Sequence, residues 1–164
     1  MSLNEGNSKN ILIVGIGNPL RCDDGVGHYV AECIEAKGLI GVKVWVTQQL
    51  QVEDLDRMLE FNRIILVDAS INGPFLDFRP IQKLSGQMLA SSHHLSAETF
   101  VNLASSIYHK ELNVFLCSIK GESFEVGNKI SPTVLKRAEE AIGLIINNLY
   151  CSGMPGQYFR QNYA

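Results

Sequence analysis

The sequence predicts an α/β protein, a single domain with three layers (α/β/α) around a mostly parallel, twisted sheet of about five strands. Short apolar runs alternate along the chain with segments whose apolar residues recur at helical spacing. The connections between these segments are short, and no internal repeat or linker interrupts them. With 164 residues, of which 46% are hydrophobic, the chain is long enough to bury the core of one such domain.

Five segments are predicted as strands because they are short, apolar or β-branched, and bounded by turn residues. They are residues 11–16, 42–47, 63–67, 76–81 and 113–119. Asp68 follows the third strand directly. Pro80 favours an edge position for the fourth strand, since proline cannot donate a hydrogen bond to a neighbouring strand.

Four helices are predicted, starting at residues 25, 52, 96 and 131 and ending near 37, 59, 107 and 149. Gly38 ends the first helix, and Ser96 caps the third after a loop over residues 86–94. Ser131 caps the last helix, and Pro132 takes its first position, where no backbone donor is needed. We place the domain at residues 10–150 and expect flexible tails at 1–9 and 151–164.

Charge and composition argue against several classes of protein. The net charge is −3 and no basic cluster is present, so we expect no nucleic-acid or membrane partner. No apolar run approaches the roughly 20 residues of a spanning helix, and the polar N-terminus does not resemble a signal peptide, so we expect a cytoplasmic protein. The glycine-rich turn is not a dinucleotide fingerprint, because Leu20 stands where the third glycine belongs.

Acidic and imidazole side chains follow the ends of several predicted strands. Asp23 and Asp24 come after the first strand, Asp68 after the third, and the pair His93-His94 after the fourth. Ligands of open α/β sheets bind outside the carboxyl ends of the strands, so we expect Asp24, Asp68 and one histidine to meet there. Two carboxylates and an imidazole with an open position suit Ni²⁺ or Zn²⁺.

Each of these residues also has a purely structural interpretation. One of Asp23 and Asp24 can cap the first helix, where a carboxylate accepts from unpaired backbone N–H groups. Asp68 can end its strand with a turn that its own side chain stabilises. Gly15 and Gly17 need only a tight strand–helix connection.

Four stretches resemble the nickel–iron hydrogenase maturation endopeptidases. The segment GIGNPLRCDDGVG resembles the N-terminal signature of that family, and TQQLQVEDL resembles the segment after its second strand. The stretch ILVDAS is similar to its third strand, and SSHHLSAETFVNLA to its histidine loop and the helix that follows. The stretch SIKGESFEVGNKISPTV is also similar to its last strand, loop and helix start. The resemblance covers roughly residues 10 to 149.

The resemblance implies an endopeptidase that removes a C-terminal extension from the hydrogenase large-subunit precursor after nickel insertion. The metal ligands would be Asp24, Asp68 and His93, with His94 as the alternate histidine. Nickel would be supplied by the substrate, although another divalent metal can substitute, and no nucleophile is evident. The remaining turn residues would bind substrate or shape the turn; they are Gly15, Gly17, Asn18, Asp23 and Gly25. We expect a monomer whose partner is the precursor.

Two other functions remain as alternatives. The chain can be a non-catalytic, nickel-dependent chaperone of hydrogenase assembly. The start LIVGIGNP also resembles the peptidyl-tRNA hydrolases, but Arg21-Cys22-Asp23-Asp24 stands where that family has its Thr-Arg-His-Asn segment with the catalytic histidine. The acidic balance also gives a tRNA backbone little to bind.

Overall fold

The computed structural model describes residues 10–83 and 95–149, and the backbone of 159–161. Its strands are β1 (Ile11–Ile16), β2 (Val42–Thr47), β3 (Arg63–Ser70), β4 (Leu76–Pro80), β5 (Val114–Lys120) and β6 (Phe159–Gln161). Its helices are α1 (Val26–Glu35), α2 (Asp54–Met58), α3 (Ala97–Tyr108) and α4 (Pro132–Leu149). A 3-10 turn over Cys22–Gly25, here named the acidic turn, precedes α1.

The strands form one sheet in the order β2-β1-β3-β5-β4-β6. The first four of these run parallel to one another, and β4 lies antiparallel to both β5 and β6. The prediction of a mostly parallel α/β sheet is therefore confirmed. The sixth strand comes from the segment that we assigned to the C-terminal tail, while the domain boundary at residue 150 stays a prediction.

The sheet separates two hydrophobic layers, because successive side chains of a strand point to opposite faces. Ile11 and Ile13 of β1 pack in the layer that contains α1 and α4. Leu12 and Val14 pack in the layer that contains α2 and α3. The helices thus cover both faces of the sheet, as the three-layer prediction requires. None of the described helices combines the length and apolar character needed to cross a membrane.

Most predicted elements lie within two residues of the observed bounds, and two differences bear on the site. The first helix begins at Val26, because Cys22–Gly25 form the separate acidic turn. The third strand does not end at residue 67, as predicted, but continues to Ser70. Asp68 therefore lies inside β3, because it pairs with Ser118 of β5.

The edge position predicted for the fourth strand is wrong for its first half. Residues Leu76–Phe78 of β4 pair with β6, which occupies the edge of the sheet instead. Pro80 lies beyond the residues that pair with β6. The N–H group that proline lacks is therefore not needed for this pairing.

Candidate functional site

The centre of the sheet contains a crevice between β1 and β3. Pairing of β1 with β3 ends at Gly15 and Val67, whereas pairing of β3 with β5 continues to Ser70. The connection through α1 leads from β1 to its neighbour β2, and the connection through α2 returns to β3 on its other side. Strand order reverses at this point, which is where open α/β sheets bind their ligands.

A cleft of about 600 Å³ opens over this crevice. Asp24 from the acidic turn and Asp68 from β3 both line it, although they lie far apart in the sequence. Charged side chains from elsewhere join them: Arg21, Arg79 and Glu98. The remaining lining residues are Ile16, Gly17, Gln48, Gln49, Leu50, Ala69, Ile71, Leu95, Ser96, Ala97, Leu116 and Phe124.

The turn after β1 places Asp24 in the cleft. Its Oδ2 accepts a hydrogen bond of 2.8 Å from the backbone N–H of Asn18. The Asn18 side chain in turn accepts from the N–H of Leu20 at 3.0 Å, which closes a local turn. Gly17 has a φ of +132°, and a side chain there would overlap the backbone of Asp24. Asn18 and Gly17 therefore shape the turn that carries the carboxylate.

Asp68 lies where its negative charge is poorly stabilised. Burial raises its pKa, the hydrogen bond from the Ala69 N–H lowers it, and the negative charge of Asp24 raises it again, to about 7 overall. Asp24 and Asp68 line the same cleft, and the negative charge of Asp24 contributes to the raised pKa of Asp68. A divalent cation bound beside both carboxylates would offset the desolvation of Asp68 and the repulsion between the two charges, and carboxylate oxygens are suitable ligands for such an ion.

Asp23 has a different role from the helix cap that we considered for it. Its carboxylate is fully buried and accepts from the N–H groups of Glu122, Ser123 and Ser131 at 2.8, 2.9 and 2.6 Å. The Ser131 hydroxyl donates a fourth hydrogen bond to the Asp23 carboxylate, at 2.9 Å. Within the described residues, no side chain caps α1 or the acidic turn. The capping hypothesis is therefore wrong for Asp23.

The hydrogen bonds also determine the ionisation of Asp23. Burial alone would raise its pKa, but the bonds from Ser131, Glu122 and Ser123 outweigh burial and hold the pKa below its usual value. Asp23 is therefore a structural anion, and it binds the segment between β5 and α4. We name that segment, residues 121–131, the strap loop.

An ion pair on the cleft wall was not anticipated from the sequence. Arg79 of β4 donates to Glu98 of α3 at 3.0 Å and to Asp77 at 3.2 Å. Burial raises the pKa of Glu98, but its own backbone N–H and Arg79 lower it to a net value below the usual one. The Glu98 carboxyl group is therefore ionised, and Arg79 balances its charge, whereas the pKa of Asp68 is raised. One feature of the sequence indicates that Glu98 is ionised: it falls in the first turn of the predicted third helix, where a negative charge is favourable.

Glycines set the approach of α1 to the sheet. Gly27, in the first turn of α1, lies against the carbonyl oxygens of Ile16 and Val67, where a side chain would overlap them. Gly15 of β1 faces Gly27 from the strand side, and Gly25 lies against Pro19. Gly27 was missed as a site residue, although its spacing to Gly25 in DDGVG was visible in the sequence.

The third predicted ligand lies outside the described residues. His93 and its alternate His94 fall in the segment 84–94, and the described chain resumes at Leu95, which lines the cleft together with Ser96. Among the residues described, no group of three or more histidine, cysteine or acidic side chains is arranged to hold a metal ion. The structure thus brings Asp24 and Asp68 into one cleft, and the ligand set stays a prediction.

Solved structures with the same architecture support the family resemblance. The hydrogenase maturating endopeptidase HybD from E. coli aligns with a TM-score of 0.64 and 20% identity, covering 85% of this chain and 91% of HybD. The nickel–iron hydrogenase maturation protease HycI from Thermococcus kodakarensis aligns with a TM-score of 0.66 and 21% identity, covering 89% and 96%. The chain has the fold of the hydrogenase maturation proteases. HybD from T. kodakarensis shares it as well, with a TM-score of 0.62, 18% identity and coverage of 84% and 97%.

Sequence comparison adds no further relative. No protein-family model matches the chain, and no curated protein matches it. At the identities given above, the structural likeness establishes the fold of the chain alone, because one fold can host many different activities.

Proposed function

We propose that this protein is an endopeptidase that removes the C-terminal extension of a nickel–iron hydrogenase large-subunit precursor after nickel insertion. The observation that carries the proposal is the meeting of Asp24 and Asp68 in one cleft. That cleft lies at the strand-order reversal of a fold shared with hydrogenase maturation proteases.

The ionisation of the carboxyl pair supports metal recognition. Asp68 has a pKa of about 7 because it is buried and lies near Asp24. The positive charge of Arg79, another cleft residue, is engaged by Asp77 and Glu98. A divalent cation that enters between Asp24 and Asp68 would offset the negative charges of both carboxylates.

His93 completes the proposed ligand set, with His94 as its alternate. Leu95, the residue directly after His94, lines the cleft, and this supports a histidine ligand from that segment. Two carboxylates and one imidazole leave open positions on a nickel ion. In this proposal nickel belongs to the precursor, and the protease binds it through Asp24, Asp68 and His93.

In this arrangement the chain recognises the nickel-loaded precursor. The cleft residues bind the loaded metal and orient the precursor so that its extension enters the cleft beside it. The described residues offer no serine or cysteine paired with a histidine for covalent catalysis in the cleft. The cleavage assay described next distinguishes a protease from a nickel-dependent chaperone that does not cleave.

The test is cleavage of a purified cognate precursor, with and without nickel, followed by mass spectrometry. Wild type should cleave only the loaded precursor. Asp24→Ala, Asp68→Ala and His93→Ala should each slow cleavage more than about 100-fold, since even outer-shell partners of a metal contribute 10- to 100-fold. Each variant should keep the wild-type circular dichroism spectrum.

Matched controls are Glu53→Ala and His109→Ala, which remove an exposed acid and an exposed histidine outside the cleft lining. Both should cleave at the wild-type rate. Cleavage that does not depend on nickel would remove the metal from recognition. No cleavage by wild type under any condition would favour the chaperone.

A further inference from the structure

The geometry of the crevice raises the question of what fixes Asp24 relative to Asp68. Beyond Gly15 and Val67, no backbone pairing joins β1 to β3 among the described residues. The acidic turn that carries Asp24 begins only after this pairing has ended. The sheet alone therefore does not set the position of one carboxylate against the other.

Asp68 is held firmly through the opposite side of its strand. It pairs with Ser118 of β5, and this pairing continues to Ser70 and Lys120. Just beyond, the N–H of Gly121 donates to the carbonyl of Ser70 at 2.9 Å. The start of the strap loop is thus continuous with the sheet beside Asp68.

The strap loop is also tied to α4. Arg137 of α4, which is largely buried, donates to the carbonyl of Lys120 at 2.6 Å. It also forms an ion pair of 2.7 Å with the Glu122 carboxylate. The same Glu122 donates its N–H to Asp23. The start of the strap loop is therefore anchored to both β3 and α4, and the acidic turn can be positioned on it.

Two residues of the acidic turn, Cys22 and Asp23, are hydrogen-bonded to the strap loop. Besides the four bonds to the Asp23 carboxylate, the N–H of Asp23 donates to the Ser123 carbonyl at 3.0 Å. The N–H of Cys22 donates to the Gly127 carbonyl at 2.7 Å. These contacts cross to a segment about a hundred residues later, and they replace the missing pairing between β1 and β3.

We propose that Asp23 is a positioning residue, which holds the acidic turn on the strap loop and thereby fixes the Asp24 carboxylate opposite Asp68. The consequence for precursor cleavage rests on the proposed function, whereas the positioning itself does not. The chemistry requires a carboxylate, because Asp23 faces four donors and an ionised carboxyl group is the side chain that only accepts. Asparagine has the same shape but turns one acceptor into a donor.

The backbone N–H of Asn18 reports directly on this positioning. It donates to Asp24 Oδ2 at 2.8 Å, so its NMR chemical shift and hydrogen-exchange protection depend on where the Asp24 carboxylate lies. We expect Asp23→Asn to lose this protection and to cleave loaded precursor at least about 10-fold more slowly in a single turnover. Ser131→Ala, which removes one of the four donors, should give a smaller change of both readouts, and Ser131→Thr should retain the wild-type values.

A variant that is destabilised at a site away from the acidic turn distinguishes a loss of positioning from a loss of overall stability. Ile145→Ala creates a cavity in α4 at a fully buried site away from the acidic turn, and it lowers the melting temperature. It should leave the Asn18 amide and the cleavage rate unchanged. Retention of Asn18 protection in Asp23→Asn would overturn the proposal, as would lost protection with unchanged cleavage. If wild type does not cleave, the proposed function fails, and the Asn18 amide still decides whether Asp23 positions Asp24.

Discussion

Two adjacent aspartates, identical in chemistry, occupy opposite environments. Asp23 is fully buried and accepts four hydrogen bonds, whereas Asp24 is partly exposed and lines the cleft. The sequence predicted Asp24 as the metal ligand of the pair; the structure places Asp24 in the cleft, and its role as a ligand stays a prediction. The structural partner of Asp23 could not be predicted, because its donors are mostly backbone N–H groups that carry no sequence signal.

Asp68 should make stability depend on pH in the metal-free protein. Its folded pKa of about 7 lies above the unfolded value, so its contribution to the free energy of unfolding is present at low pH and is lost as pH rises to 7. We expect Asp68→Asn to match wild type near pH 4 and to be more stable by about 4 kcal/mol near pH 8, since a pKa raised by about three units corresponds to about that free energy. Urea unfolding with a chelator present measures this, and Glu53→Gln controls for the loss of one charge. A constant difference across this range would contradict it.

Cys22 occupies a conformation that disfavours any side chain. Its φ of +48° lies in the left-handed region, where a residue with a Cβ is less stable than glycine. We expect Cys22→Gly to be more stable than Cys22→Ala by about 1 kcal/mol.

Cys33, inside α1, provides the reverse comparison. There Ala should be more stable than Gly by about 1 kcal/mol, because helical residues favour alanine. Thermal unfolding of the four variants decides the matter. The same order at both positions would show that the left-handed backbone at Cys22 carries no strain.

At the scale of elements, the contact of α1 with the crevice depends on a missing side chain. We expect Gly27→Ala to destabilise the protein by more than about 2 kcal/mol, because the added methyl group overlaps the carbonyls of Ile16 and Val67. Gly143→Ala in α4 is the matched control, since nothing lies within 4 Å of its added methyl group. It should stabilise by about 0.5–1 kcal/mol. Equal effects at the two glycines, measured by urea unfolding, would refute the close approach.

Elements with strong local patterns were predictable, and those defined by partners were not. The apolar run of β1 and the Ser96 cap of α3 were both predicted, and Ser96 indeed accepts from the Thr99 N–H. The extension of β3 through Asp68 was missed, because it depends on pairing with β5. Strand β6 was missed because three residues give no periodicity, and its pairing with β4 is non-local.

The site residues were predictable where their positions follow from the order and direction of the strands. Ligand positions follow from a general property of parallel sheets, so the amino-acid order alone was enough to place Asp24 and Asp68 at one edge. The ion pair of Arg79 with Glu98 could not be predicted, because β4 and α3 are joined by a segment whose path the sequence does not fix. Sequence therefore predicted which carboxylates meet, and tertiary contacts determine their ionisation.

At the scale of the whole molecule, the proposal of substrate-borne nickel predicts a nearly metal-free protein. Asp24 and Asp68 line the same cleft, and His93 is the third ligand of the proposed set. We expect purified protein to contain less than about 0.1 equivalent of nickel by mass spectrometry, because in this proposal the precursor carries the ion and the three side chains bind it only in the complex. Addition of the loaded precursor should bring nickel into the complex. A full equivalent bound tightly by the free protein would contradict the proposal.

The bond between Asp23 and Ser131 also has a consequence for biosynthesis. The two residues are separated by 108 positions, so the ribosome adds Ser131 on the order of 5 to 20 seconds after Asp23. Throughout that interval the nascent acidic turn has no strap loop to bind. A chain that stops before Ser131 therefore lacks two of the four donors to the Asp23 carboxylate, and the acidic turn gains its full set of hydrogen bonds only after the strap loop has been synthesised.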